Sequence, residues 1–80
     1  MNRKELYLSE YENRLLDTIE SNLNYFNNGK SKGKLSAELF VSDGNKADLY
    51  KDGSKICFCI TLDQLFWAVV GIVNYNRKEV

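Results

Sequence analysis

The chain has 80 residues, with eleven basic and eleven acidic side chains, two cysteines, no proline and no histidine. That length sets one domain with a small core, marginally stable unless something else supports it, and a formal net charge of zero argues against nonspecific nucleic-acid binding, which needs a basic excess, and against a strongly acidic nucleic-acid mimic. Without histidine the commonest general acid–base group and the commonest metal ligand are missing, Ser-His-Asp and Cys-His constellations are excluded, and no cofactor or metal is expected.

Met1 to Leu8 carries charges and no long apolar run, so it does not read as a signal peptide, and a cytoplasmic protein is expected. Met1 to Asn28 holds the first helix. Asn2 with Glu5 and Ser9 with Glu12 both have capping-box spacing, and the second start would leave Leu6 to Leu8 as an extended arm. From Ser9 onward, Leu15, Leu16, Ile19, Leu23 and Phe26 fall within one arc. Glu10, Asp17 and Glu20 form an acidic outer face, and Tyr7, Tyr11 and Tyr25 flank it. Asn27, Asn28 and Gly29 predict a C-terminal cap in the left-handed conformation.

Lys30 to Lys34 is a short basic loop without the phosphate-loop pattern. Lys30, Lys32 and Lys34 can meet a phosphate, or can simply be solvated. Three strands follow. In Leu35 to Val41 the odd positions point inward, and Ser36, Glu38 and Phe40 point outward. Ser42-Asp43-Gly44-Asn45 reads as a hairpin turn. Lys46 to Tyr50 places Ala47 and Leu49 inward, with Lys46, Asp48 and Tyr50 outward. Lys51-Asp52-Gly53-Ser54 is a second turn, and Lys55 to Ile60 completes a meander with Ile56, Phe58 and Ile60 inward and Lys55, Cys57 and Cys59 outward.

Thr61 to Asn76 is a second helix, opened by a Thr61–Gln64 capping box, with Asp63 at the positive end of its dipole and Arg77 and Lys78 at the negative end. Leu62, Leu65, Phe66, Val69, Ile72 and Val73 share a core face, whereas Trp67 and Gly71 lie opposite, flanked by Ala68, Val70, Asn74 and Tyr75. A helix apolar on this many sides is normally covered on both, and the run falls short of the roughly 20 residues of a membrane span. The expected fold is α+β in the order α-β-β-β-α: one domain over residues 1–80, a three-stranded antiparallel sheet and two helices packed on one of its faces.

Two groups invite a chemical reading. Cys57 and Cys59 would share a face of the strand; two thiols alone do not make a structural zinc site, and reduced, packed cysteines are the plainer alternative to a metal shared across a dimer. Glu38 and Asp48 would sit together on adjacent strands with Lys46 and Lys55 to neutralise them, which suits cross-strand pairing better than acid–base catalysis. Trp67 either covers its own chain or belongs to an interface.

The order α-β-β-β-α resembles that of the double-stranded RNA-binding domain. That family opens its last helix with a basic motif that grips phosphate, where this chain has Thr61-Leu62-Asp63-Gln64. In size and layout the chain also resembles small phage-encoded inhibitors, including some anti-CRISPR proteins built from a three-stranded sheet flanked by helices. This second resemblance implies a non-enzymatic inhibitor that occludes a site on a larger protein such as a CRISPR effector. Its expected contacts are Trp67, Val70, Gly71 and Asn74 on the last helix, Tyr11, Glu10 and Asp17 on the first, and Phe40 and Tyr50 on the outer sheet face. The alternatives are a homodimer pairing through the last helix or a nucleic-acid binder using the basic loop. No membrane partner is expected.

Overall fold

The structure is a computed structural model that describes residues 1–29 and 33–78, the last three of these by their backbone alone. A 3-10 turn, η1 (Arg3–Glu5), precedes α1 (Glu10–Asn27). The strands β1 (Leu35–Val41), β2 (Asn45–Lys51) and β3 (Ser54–Thr61) follow, and α2 (Leu62–Lys78) closes the chain. The sheet is antiparallel in the order β1-β2-β3, with both helices on one face, which is the expected α-β-β-β-α arrangement.

Of the two starts open to the first helix, Ser9 takes it. Its hydroxyl accepts from the Glu12 N–H and the Glu12 carboxylate accepts from the Ser9 N–H, at 3.1 and 2.9 Å. The residues before it form an arm, pinned by Arg3 to Asp17 and Glu20 on α1. The end of the helix differs from expectation. Asn28 keeps a right-handed φ of −86°, and the positive-φ glycines among the described residues are Gly33, Gly44 and Gly53. Asn27 supplies the reason: its side-chain amide turns to the Leu35 backbone, donating to the carbonyl at 2.9 Å and accepting from the N–H at 2.7 Å. This tie closes the helix without a left-handed residue.

Both hairpins turn as their sequences predict, through Asp-Gly pairs with positive φ (Asp43 and Gly44; Asp52 and Gly53). β1 and β2 pair without interruption from Leu35 opposite Lys51 to Val41 opposite Asn45. β3 does not run so evenly. Two irregularities lie between its Tyr50–Lys55, Leu49–Cys57 and Ala47–Ile60 pairs, and Cys59 has φ +48°. Each extra residue reverses the inside–outside alternation.

This overturns part of the expected pattern. Cys57 packs inward against the core, while Ile56 and Phe58 are 43% and 69% exposed. Ile60 keeps its inward place. The two cysteines therefore do not share a face: Cys57 is half-buried and Cys59 is exposed on the bulge.

The core is a single cluster between the sheet and the helices. α1 contributes Leu16, Ile19, Leu23 and Phe26; the sheet contributes Leu35, Ala37, Leu39, Ala47 and Leu49; α2 contributes Leu62, Leu65, Val69 and Val73. Phe66 and Ile72, expected in the core stripe, sit half-buried at its rim. α1 and α2 lie side by side with their N-termini at the same end, where the Tyr11 hydroxyl donates to Asp63 at 2.5 Å.

Phe26 is the largest side chain fully enclosed by this cluster. Phe26→Ala is expected to cost about 3–5 kcal/mol through lost burial and the cavity left behind. Urea denaturation should show it as a lower midpoint at an unchanged slope.

Candidate functional site

The α2 capping box forms as its sequence implies, with the Thr61 hydroxyl accepting from the Gln64 N–H and the Gln64 side chain accepting from the Thr61 N–H. That fixes the rotation of the helix, and with it the faces that the 100° repeat assigns. Leu62, Leu65, Val69 and Val73 are buried. On the opposite side Trp67 is 70% and Tyr75 64% exposed, and Gly71 and Asn74 are open to solvent; Val70 is half-buried at the margin. Trp67 and Tyr75 stand eight residues apart, about 12 Å along the axis. Gly71 lies between them, and a Cβ built there meets nothing within 4 Å.

The result is a shallow, mainly apolar groove of about 450 Å³, walled by Trp67, Ala68, Gly71, Ile72 and Tyr75 and bordered by Lys51. Phe66 meets the indole edge-on at 5.1 Å and braces it from the core side. The side chains of Arg77 and Lys78, expected at the C-terminal end of the dipole, lie outside the described residues.

The outer face of the sheet carries a second patch. Glu38 and Asp48 are direct cross-strand partners, as the sequence suggests, but among the described residues only Asp48 is compensated. Its carboxylate accepts from Lys55 Nζ at 3.0 Å and from the Cys59 N–H at 2.8 Å. Lys46 donates instead to the Asp43 carbonyl. The Lys55 ammonium lies 5.6 Å from both the Tyr50 and the Phe58 ring centroids, so one cation joins two aromatics to a carboxylate.

The Cys59 N–H, with the Lys55 contact added, holds the Asp48 carboxyl below its ordinary range, and the Asp48 hydrogen bond raises the Lys55 ammonium. Phe40 and Tyr50 are half-buried on this face. Strand alternation places Phe58 inside, and the bulges turn it out to this face.

The acidic face of α1 is largely paired within the chain: Asp17 and Glu20 meet Arg3, and Glu10 meets Arg14. Tyr11 is exposed on the α2 side, its hydroxyl pKa raised by the bond to Asp63. Lys30 and Lys32 lie outside the described residues. Lys34 donates its ammonium to the Asn27 carbonyl at 3.1 Å, and its N–H to Asp52. Tyr11, Glu10 and Asp17 thus lie on a different helix from the α2 groove, and Phe40 and Tyr50 on the opposite face of the sheet.

Among the described residues no helix is long and apolar enough to cross a membrane, and no group of three metal-ligating side chains gathers. Comparison with known protein families, curated proteins and solved structures finds no match to this chain.

Two outcomes are expected. Gly71→Ala should stabilise the fold by about 1 kcal/mol, the helix-propensity difference, since the added methyl has open space; thermal denaturation reads it as a higher midpoint. Asp48 has a lowered pKa when folded, so the stability it contributes is present above its unfolded pKa. That contribution is lost as pH falls through the folded value. Asp48→Asn should therefore lower stability at neutral pH and flatten the acid limb of a denaturation-against-pH curve.

Proposed function

We propose that the protein is a non-enzymatic protein-binding module that inhibits a larger protein by occluding one of its sites. The observation that supports this most is the α2 stripe, where the only tryptophan of the chain stands 70% exposed beside a glycine and a second exposed aromatic. Aromatic anchors beside a point of close backbone approach are what a docking surface requires. Burying Trp67 and Tyr75 together would remove several hundred Å² of apolar surface from water, enough to anchor a contact of ordinary size once its rim is added. Size and topology further suggest an inhibitor of the kind that phages and other mobile elements encode, with a CRISPR effector as one candidate target.

A second reading is a homodimer formed through the same stripe. It is favoured by zero net charge, which leaves little repulsion between copies.

Trp67→Ala separates docking from folding. The exposed indole makes a small contribution to the core, so the variant should unfold within a few tenths of a kcal/mol of the parent. Its capture of the larger target, or its sedimentation as a dimer, should be abolished. A large loss of stability would show instead that the indole serves the fold. Strictly monomeric sedimentation of the parent at millimolar concentration would remove the dimer reading and leave the inhibitor reading in place.

A further inference from the structure

The free edge of β1 is occupied at two of its positions by side-chain amides that imitate a neighbouring strand. Asn27 pairs with both backbone groups of Leu35. Asn2 does the same at Leu39, donating to its carbonyl and accepting from its N–H, each at 2.8 Å. These bonds fix the parity of the strand. Leu35 and Leu39 turn their backbone groups away from β2, and in an antiparallel ladder alternate residues behave alike. The N–H and C=O of Ala37, midway between them, therefore face the same edge.

Two cavities meet at Ala37. One, of about 190 Å³, lies on the helix side against Leu23, Asn24 and Met1. The other, on the outer side, is lined by Asn2, Glu5, Glu38 and Tyr50, and the Met1 side chain borders both. Glu38 faces Asp48 across the ladder, and like charges directly opposite repel. Lys55 compensates Asp48, and among the described residues Glu38 makes no ion pair.

We propose that this edge is a docking rung for a short, extended, basic segment of another protein, with the pattern basic–apolar–basic. The central residue exchanges both backbone hydrogen bonds with Ala37. Residues paired across strands point to the same side of a sheet, so its apolar side chain enters the helix-side cavity. The residues before and after it point to the outer side, where their cations meet Glu38 and Glu5. The amides at Leu35 and Leu39 are four residues apart, roughly 13 Å. They admit about three residues and stop a longer strand from adding. This surface is separate from the Trp67 stripe, and the inference stands without it.

The test is an amide-resolved NMR titration of the full chain with acetylated, amidated Lys-Val-Lys. The expected result is a saturable shift of the Ala37 amide while the Trp67 indole N–H stays in place. An analogue N-methylated at its valine, which lacks one ladder hydrogen bond, should bind about fivefold more weakly. Glu38→Lys, an exposed change that also relieves the repulsion with Asp48, should weaken binding by a similar factor, and Glu-Val-Glu should not bind. An Ala37 amide that stays still at millimolar peptide, or equal binding of the N-methylated or acidic peptide, overturns the proposal. So does a shift at Trp67 in place of Ala37, which would return the peptide to the α2 surface.

Discussion

Burial of one face of the sheet beneath α1 and α2 is the constraint that fixes the rest of this molecule. Three strands offer a narrow inner face, and five side chains from β1 and β2 fill most of it together with four from each helix. β3 adds only the half-buried Cys57 and Ile60. α2 leans on β2 and β3, so it turns one stripe to the sheet and one flank to α1. What remains of its apolar surface faces outward. The exposure of Trp67 is thus a consequence of geometry: among the described residues no further layer packs on the outer side of α2.

The sequence is informative where structure is decided locally. Capping boxes at Ser9 and Thr61 and Asp-Gly turns at 43–44 and 52–53 need only neighbours three or four residues away, and they form as read. Strand alternation in β1 and β2 holds where their register is unbroken, except at Val41, which the sequence places inward and which is 69% exposed at the end of its strand. It fails in β3, where inside and outside depend on an extra residue before Cys57 and another before Ile60. The second irregularity is tied to a bond between Asp48 and the Cys59 N–H, eleven residues away in sequence, and nothing in the alternating pattern Ile56-Cys57-Phe58-Cys59 signals it. The Asn2 clamp on Leu39 spans 37 residues and is equally invisible to a local reading. Asn27 competes with its own helix cap, and the distant partner wins because it satisfies two backbone groups at an otherwise open edge. The α2 site was legible because helical periodicity alone separates Trp67 and Gly71 from the core stripe. Phe58 was not, because its side of the sheet is set by the bulges.

The two edges of the sheet are protected by different means. Open edges invite other strands, and a neutral chain lacks the charge that keeps copies apart. β3 is irregular at two places along its length, which breaks the even row of donors and acceptors that a new strand would need. β1 runs straight and is covered by amides at alternate inward positions instead. A straight edge plugged at Leu35 and Leu39 leaves Ala37 as the rung between the plugs, whereas the bulged strand shifts register at two places.

The α2 stripe has no such protection. Its aromatic residues are exposed, and Lys51 of β2 borders the groove without filling it. Gly71 sharpens the point. A glycine in a helix interior lowers stability relative to alanine by about 1 kcal/mol, and here no neighbour requires the missing methyl. Within the chain that cost is uncompensated. Against a partner backbone laid across Gly71, with Trp67 and Tyr75 closing on either side, the missing methyl becomes the feature that permits close approach. If Gly71→Ala both raises the melting temperature and weakens capture, the residue is kept for contact at the expense of the fold. If alanine stabilises the chain and leaves capture unchanged, the partner meets the aromatics without approaching the helix backbone.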